Sequence, residues 1–277
     1  MFLFSTMFLY EFALPTIFQA CVEAEYDGVE FWVETPHFWL TREVCLQSAS
    51  RHGEAIHVSR AGLERYSEFI LAVHAPVLDL NPCSVNRNVA ELTLKETLYT
   101  IALSKKLGCR YVTIHAGRRS AAREPVDEDW KVLDRYLRVS SRYAEIKGVR
   151  LLLENSEPRV NSLCSRAVEI RQYVSLYGTG VTLDVSHALK AGEFENMLEL
   201  MDFVKNVHVS GWDSSGRHVA SRRSQKVEEA LKKIAETGYD GLVTVELDDL
   251  GYGLMDYRAK IEELKKEREF LESIFRR

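Results

Sequence analysis

Short apolar runs alternate with longer helical patterns along nearly the whole chain. Each run is four to seven residues long and mostly apolar, and several end on a His, Asp or Glu. Such runs are typical of parallel strands that are buried on both faces. We therefore predict eight strands, at residues 1–7, 29–33, 69–73, 111–114, 149–153, 181–187, 204–207 and 242–245.

The segments between the strands carry apolar residues at the helical period. Pro15 suits a first helical turn, and Gly108 and Gly148 stand where helices are expected to end. We predict helices at residues 15–25, 41–52, 89–107, 128–146, 163–176, 196–203, 226–236 and 255–275, with a less regular helical stretch up to Tyr66. Residues 211–218 are predicted to form a loop.

This alternation favours an α/β fold, a single (β/α)8 TIM barrel spanning residues 1–277. Two helix-to-strand turns resemble each other, at residues 25–30 and 237–242, as expected of a repeated βα unit. The alternative is an open, doubly wound sheet. A glycine-rich G-x-G-x-x-G turn would support that fold, and none follows the first strand.

Composition narrows the class of protein further. The 277 residues are 46% hydrophobic and 28% charged, and the net charge of −5 disfavours a general nucleic-acid coat protein, although it allows a local basic patch. The apolar first ten residues have no basic leader, so we expect a buried strand there, no membrane anchor and a cytoplasmic protein. The five cysteines form no C-x-x-C pair and predict reduced, mostly buried thiols: Cys21, Cys45, Cys83, Cys109 and Cys164.

Potential metal ligands follow six consecutive predicted strands. Because the carboxyl ends of parallel barrel strands open on one face, these side chains are expected to converge. A single strand-end histidine is more often structural, but Glu154 and Glu246 directly follow apolar runs, where an unpaired carboxylate is costly. Imidazole and carboxylate ligands without thiolate suit zinc, manganese, cobalt or iron. The set comprises His74, His115, Glu154, Asp184, His187, His208 and Glu246.

At these positions the sequence resembles the xylose isomerase-like TIM barrels, a superfamily that includes sugar isomerases and epimerases, inosose dehydratase-like proteins and the endonuclease IV group (AP endonuclease family 2). The resemblance spans nearly the whole chain. It rests on the segments Val73-His74-Ala75-Pro76, Ile114-His115-Ala116-Gly117, Leu153-Glu154-Asn155, Leu183-Asp184-Val185-Ser186-His187, Val207-His208-Val209 and Val245-Glu246.

The isomerase and epimerase branch implies one divalent ion, held by the counterparts of Glu154, Asp184, His208 and Glu246. In that branch the two glutamates exchange a proton of the sugar through a metal-stabilised enediolate, and the counterpart of His187 helps to hold the substrate oxygens. The resemblance thus implies Glu154, Glu246 and His187 as catalytic residues. All five positions are filled, so our leading expectation is a divalent-metal-dependent isomerase or epimerase acting on a sugar or sugar phosphate.

The endonuclease IV branch implies three zinc ions and cleavage of DNA beside an abasic site. His74, His115 and Glu154 match the first zinc site, while Glu154, Asp184, His208 and Glu246 match the second. The third requires His187 and an Asp-x-His pair; His218 matches the histidine, but Gly216 occupies the aspartate position and Asp213 only lies nearby. No stretch matches the DNA-intercalating loops, so this branch, with DNA as partner, is the alternative. The expected cofactor is one to three ions of zinc or manganese.

Several arginines follow strands four to seven, where the two readings are ordinary solvated charge and a positive rim for phosphate. Among them, Arg118, Arg119 and Arg217 are our candidate substrate contacts; Arg222 and Arg223 belong to the same predicted rim. Trp212 is a further candidate contact because it stands in a polar loop, whereas Trp32 is expected to pack in the core. A barrel without catalysis, serving as a binding module, is a third reading that the intact carboxylates disfavour.

Overall fold

A computed structural model describes residues 1–34, 62–252 and 255–275 of the chain. Eight parallel strands close into a barrel in the order β1-β10-β7-β6-β5-β4-β3-β2. This confirms the predicted (β/α)8 TIM barrel. The barrel strands are β1 (Phe2–Ser5), β2 (Gly28–Trp32), β3 (Ile70–His74), β4 (Tyr111–His115), β5 (Arg150–Glu154), β6 (Gly180–Asp184), β7 (Val204–Val209) and β10 (Leu242–Val245).

Helices surround the barrel and bury their apolar faces against the strands. Gly108, Gly148 and Gly178 end three of them in the left-handed conformation that an αL cap requires. None of the helices in the described ranges is both long and apolar enough to cross a membrane. The helices are α1 (Leu14–Glu23), α2 (Arg87–Leu107), α3 (Asp127–Lys147), α4 (Ala167–Tyr177), α5 (Val185–Ala191), α6 (Phe194–Leu198), α7 (Gln225–Glu236) and α8 (Tyr257–Phe275).

The predicted helix at residues 41–52 and Cys45 lie outside the described residues, as does most of the irregular stretch that was expected to reach Tyr66. The other four cysteines are buried free thiols, as expected. Helix α4 begins at Ala167, four residues later than the start predicted at Leu163. Leu163 N–H donates to Gly117 O and Cys164 has a positive φ of 58°, which breaks the helical conformation there.

Several short elements near the strand ends differ from the prediction. The strand predicted at residues 181–187 ends at Asp184, which is the N-cap of α5, and the helix predicted at residues 196–203 is replaced by the shorter α6. The predicted loop at residues 211–218 contains the antiparallel pair β8 (Gly211–Trp212) and β9 (His218–Val219). Helices α5 and α6 and the strands β8 and β9 are too short for hydrophobic periodicity to reveal them.

A polar layer fills the barrel directly beneath the strand ends. Its members are completely buried and stand two residues before a strand-end residue, so they share that residue's face of the strand. Thr113 and Thr182 hydrogen-bond to each other across the barrel at 2.9 Å. The strand-end side chains therefore rest on a hydrogen-bonded floor, whose members are Glu30, Thr113, Thr182, Asn206 and Thr244.

Gly117 joins the loop after β4 to the loop after β3. Its φ is +82°, and a Cβ there would lie 2.5 Å from Asn81 Oδ1 and 2.7 Å from Pro82 Cδ. We expect Gly117→Ala to lower the free energy of unfolding by about 2–5 kcal/mol, through αL strain and overpacking together. Gly108→Ala is the matched control, because Gly108 has a φ of +75° and no atom within 4 Å of an added Cβ. Urea denaturation of both variants measures the difference, and equal losses would contradict the steric argument.

Candidate metal centre

The seven strand-end ligand candidates meet at the carboxyl end of the barrel. Together with His218, their nitrogen and carboxylate oxygen atoms form three groups, and within each group the ligand atoms lie within 4.8 Å of one another. Parallel register produces this convergence: His115 stands beside Glu154, and Asp184 stands beside His208. The groups are His74–His115–Glu154, Glu154–Asp184–His208–Glu246 and Asp184–His187–His218.

Glu154 is the hub of the centre. Its Oε2 atom lies 3.3 Å from His74 Nε2 and 3.1 Å from His115 Nε2. The same oxygen lies 3.6 Å from His208 Nδ1, while Oε1 lies 3.7 Å from His187 Nδ1. Glu154 is only 2% exposed. One buried carboxylate therefore lies close to four imidazole rings.

Three buried atoms of the central group are suited to bind a cation. Asp184 Oδ2, His208 Nδ1 and Glu246 Oε2 lack a hydrogen-bond partner among the described residues. His208 Nδ1 and Glu246 Oε2 are 3.0 Å apart, without the alignment of a hydrogen bond. Buried polar atoms are nearly always satisfied, so orphans grouped in this way fit a metal site. The mixed imidazole and carboxylate ligands suit zinc or manganese.

Glu30 supports His208 from below and was not among the predicted site residues. Its Oε2 atom accepts from His208 Nε2 at 2.8 Å and from Asn206 Nδ2 at 2.8 Å. Asn206 Oδ1 in turn accepts from Thr244 at 2.9 Å. This chain holds the imidazole so that Nδ1 faces the other ligands, as carboxylates commonly do beside metal-binding histidines. The available signal was a glutamate inside the apolar run Val29-Glu30-Phe31.

Asn155 positions two neighbouring ligand candidates, Asp184 and His187. Its side-chain amide donates to Asp184 O at 2.9 Å and accepts from Asp184 N–H at 2.8 Å. Its own carbonyl lies 3.0 Å from His187 Nδ1. Asp184 Oδ1 also caps α5 by accepting from His187 N–H at 2.6 Å, which places His187 in the first turn of that helix.

Burial and ion pairing pull the pKa values of this centre in opposite directions. Burial would raise the pKa of Glu154, but His115 and His208 hold it well below its ordinary value. Burial likewise would raise the pKa of Glu246, yet His208 lowers it to about 2. Burial would lower the pKa of His208, but Glu30 and then Glu246 raise it well above its ordinary value. For Asp184 burial prevails over His187, so its pKa is raised.

Glu30→Gln is expected to weaken metal binding by about 10–100-fold, the usual effect of losing a carboxylate that orients a ligand histidine. Competition with a chromogenic chelator measures the affinity. Glu34→Gln is the matched control: Glu34 is also buried, but its Oε2 atom accepts from Val77 and Leu78 N–H groups, which glutamine still satisfies. Equal affinities of the two variants would show that Glu30 does not position His208.

The third group of ligands departs from the arrangement that the resemblance implied. Its members are Asp184, His187 and His218, and His218 reaches it from the β8–β9 hairpin; the ring centroids of His187 and His218 are 5.7 Å apart. Asp213 does not belong to this group. Its Oδ1 atom instead accepts from Ser215 and from Arg217 N–H, closing the hairpin turn.

A cavity of about 510 Å³ opens beside the centre. Glu246 and His218 reach it, and Trp32 forms part of its wall while stacking on His74 with ring centroids 3.9 Å apart. Trp32 was expected to pack in the core, but it also lines this cavity. Trp212 pairs with His218 in the β8–β9 hairpin, and Lys190 Nζ lies 5.6 Å from the centroid of the Trp212 ring. The described remainder of the wall is mostly apolar: Met7, Tyr10, Glu34, Val77, Leu78, Leu247, Asp248 and Leu250.

The candidate arginines lie in different surroundings. Arg118 is exposed and lines a small cavity of about 60 Å³ together with His115. Arg119 donates to Glu124 O at 2.7 Å, and Arg217 donates to Leu250 O at 2.6 Å. Of these three arginines, Arg118 is the one that lines a cavity together with a member of the centre, and its side chain has no hydrogen bond or ion pair within the described residues.

Arg222 and Arg223, the other two residues of the predicted rim, are paired with carboxylates of α8. Arg222 donates to Glu267 at 2.5 Å and to Glu263 at 2.6 Å, and Arg223 donates to Glu263 at 3.1 Å. Glu267 is completely buried. These contacts give both arginines a structural role in place of the predicted phosphate contact.

Arg222→Gln should lower the free energy of unfolding at pH 7 by about 2–4 kcal/mol, because it removes the cation that pairs with the buried carboxylates of Glu263 and Glu267. Burial would raise the pKa of Glu263, but its hydrogen bond from Arg222 lowers it below 4.5. The stabilisation is therefore present above pH 4.5 and is lost as the pH falls through the folded-state pKa. Urea unfolding at pH 7 and pH 3 should show a smaller difference between wild type and variant at pH 3.

The matched control for Arg222→Gln is Arg171→Gln, since Arg171 pairs with Glu199 on the surface at 2.8 Å. It should change stability by less than about 1 kcal/mol at either pH. A difference between Arg222→Gln and wild type that stays constant from pH 7 to pH 3 would contradict the assignment to Glu263.

Comparisons with known proteins agree with this architecture. The chain is 32% identical over 275 residues to the uncharacterized protein MJ1188 of Methanocaldococcus jannaschii, covering 98% of this chain and 97% of that protein. The solved structure of an IOLI protein with a bound zinc atom superposes with a TM-score of 0.76 at 19% identity, covering 100% of this chain and 99% of the other. The solved structure of a D-tagatose 3-epimerase-like protein superposes with a TM-score of 0.73 at 22% identity, covering 99% of this chain and 97% of the other.

The two structural likenesses establish the barrel fold. The family assignment has a separate basis, because residues 18–274 match the sequence family described as xylose isomerase-like TIM barrel. That match covers most of the chain and includes every strand-end ligand of the centre. The protein therefore belongs to the xylose isomerase-like TIM barrel family.

Proposed function

We propose that this protein is a divalent-metal-dependent isomerase or epimerase acting on a sugar or a sugar phosphate. The observation that carries the proposal is the group Glu154–Asp184–His208–Glu246, with three orphaned buried atoms, at the edge of a substrate-sized cavity. The structural neighbours that include a D-tagatose 3-epimerase-like protein and an L-ribulose 3-epimerase support the substrate class.

The four residues of this group would hold the ion through one imidazole and three carboxylates. When bound, a divalent ion would supply Lewis acidity towards a carbonyl and an adjacent hydroxyl of the substrate. Glu246 reaches the cavity, and its pairing with His208 keeps its carboxylate ionised, the form that a proton acceptor at a substrate carbon requires. Glu154 is the second proton-transfer group, and His187 orients substrate oxygens. Trp32 offers a flat face on which a sugar ring can stack.

Proton exchange in D2O tests the proposal. The protein is loaded with Mn²⁺ or Zn²⁺, incubated with a panel of ketoses and their phosphates, and followed by proton NMR. We expect deuterium to enter at the carbon beside the carbonyl of at least one sugar. The exchange should stop with EDTA and return when metal is restored. Metal-loaded protein that exchanges no proton with any member of the panel would argue against the proposal.

The second candidate is an endonuclease IV-like zinc phosphodiesterase acting on abasic-site DNA. Two further ligand groups favour it, His74–His115–Glu154 and Asp184–His187–His218, because they would allow up to three ions. Elemental analysis of protein purified without chelator discriminates between the candidates. Two or three tightly held zinc ions, together with cleavage of an abasic-site oligonucleotide, would favour the phosphodiesterase, whereas one exchangeable ion would favour the isomerase.

Whether the substrate carries a phosphate rests on Arg118, for which Arg118→Ala is the direct test. If the substrate is phosphorylated, KM should rise while kcat changes little, since the arginine would bind substrate without taking part in proton transfer.

A further inference from the structure

A second, larger cavity lies at the amino-terminal end of the barrel, opposite the metal centre. Its volume is about 880 Å³. It is open to solvent and is lined by the first residues of β4 and β5, the turn before β6 and the carboxyl ends of α3 and α4. Residues at this end of a TIM barrel usually serve stability, but the side chains that line this cavity are rich in arginine.

Four arginines line this cavity, and Glu145 is the only acidic residue among the lining residues of the described chain. All four arginines are exposed, and within the described residues none has a carboxylate oxygen within 4.0 Å. The chain as a whole carries a net charge of −5, so this concentration of unpaired positive charge is local. The four are Arg110, Arg138, Arg142 and Arg150.

Two hydroxyl groups in the same wall are buried and lack a hydrogen-bond partner. They are Thr179 Oγ1, on a residue that is 2% exposed, and Ser141 Oγ. Both oxygen atoms are screened from solvent, so the exposed arginines are the groups that an occupant of the cavity would meet first. The oxygen atoms of an anion accept hydrogen bonds from both hydroxyl and guanidinium donors.

We propose that this cavity binds a polyphosphate anion, with two or more linked phosphate groups. Guanidinium groups match phosphate oxygens with paired hydrogen bonds, and four of them exceed what a single monovalent anion needs. The carboxyl ends of α3 and α4 carry partial negative charge that opposes an anion, but the four positive guanidinium groups outweigh it. The apolar part of the wall, formed by Tyr111, Ile146, Leu176 and Tyr177, can accept the organic part of a nucleotide.

Isothermal titration of the full chain with inorganic pyrophosphate, in 150 mM salt, tests this site. We expect saturable binding of one pyrophosphate per chain. The double variant Arg138→Ala/Arg142→Ala should bind at least tenfold more weakly. Arg135→Ala is the matched control, because Arg135 is exposed on the same helix but does not line the cavity, and it should change the affinity less than twofold.

Two further measurements keep the result specific. Pyrophosphate could also interact with metal at the opposite face, so the titration is repeated with Glu154→Gln, which should bind pyrophosphate as tightly as wild type. Thermal unfolding without pyrophosphate checks that the variants fold, and Arg142→Gln serves as a milder second variant. Absence of saturable binding, equal binding by the double variant, or loss of binding in Glu154→Gln would each overturn the proposal. ATP that binds more tightly than pyrophosphate and loses affinity in the double variant would support it.

Discussion

Glu154→Gln is expected to remove bound metal and to abolish turnover. Glu154 is shared by two of the three ligand groups, and its Oε2 atom lies within 3.6 Å of three imidazole nitrogens. Glutamine is nearly the same size, but it removes the negative charge that offsets a divalent ion in a buried site. Metal affinity should fall by more than about 100-fold, since changing even an outer carboxylate costs 10–100-fold. Elemental analysis and the D2O exchange assay measure both effects.

Glu157→Gln is the matched control for this substitution. Glu157 lies three positions further along the chain, in the loop after β5, but its carboxylate pairs with Arg159 and Lys190 and belongs to none of the ligand groups. It should keep wild-type metal content. If Glu154→Gln retains its full complement of ions, the hub assignment of Glu154 is wrong, whichever reaction the protein catalyses.

Glu246→Gln should lower turnover by about 100- to 10,000-fold, the range for loss of a proton-transfer group. The physical reason differs from that for Glu154. Glu246 reaches the cavity, and its lowered pKa keeps it in the ionised form that a proton acceptor requires. The glutamine oxygen can still approach a metal ion, but it cannot accept a proton at neutral pH. We therefore expect kcat to fall further than metal content, and rates measured at saturating metal separate the two.

Asp248→Asn is the matched control, because Asp248 lines the same cavity and its Oδ1 atom accepts from Leu250 N–H, a bond that asparagine keeps. Its turnover should stay within a few-fold of wild type. A Glu246→Gln enzyme that keeps a tenth or more of the wild-type rate at saturating metal would exclude Glu246 as the proton acceptor. Since both enzymatic candidates use the Glu246 carboxylate, the substrate assays, and not this variant, choose between them.

The order of strands and helices could be predicted from the sequence because it depends on local patterns. The strand β10 was predicted at its observed bounds, and the ends of α2 and α3 follow from glycines in the left-handed conformation. The convergence of the strand-end ligand candidates could also be predicted, since the carboxyl ends of all parallel strands open on the same face of a closed barrel. Helix α5 and the β8–β9 hairpin could not be predicted, because a seven-residue helix and two-residue strands carry too little periodicity.

The partners of individual side chains depended on the tertiary structure. Glu30 interrupts an apolar run in the sequence, but only the closed barrel brings it within 2.8 Å of His208, 178 positions away. Arg222 and Arg223 are indistinguishable from free rim charges until α8 places Glu263 and Glu267 beside them. Trp32 looks like a core residue until its stacking on His74 and its place in the cavity wall are known.

The sequence alone therefore determined the barrel, the face on which the chemistry lies and the residue types of the centre. Those features follow from hydrophobic period, turn residues and strand direction, each of which is encoded within a few neighbouring positions. Only the tertiary structure decided which carboxylate is the hub, which charges are already paired and which aromatic ring lines the cavity. Pairing and access are relations between residues distant along the chain, and they exist only once the strands close into a barrel.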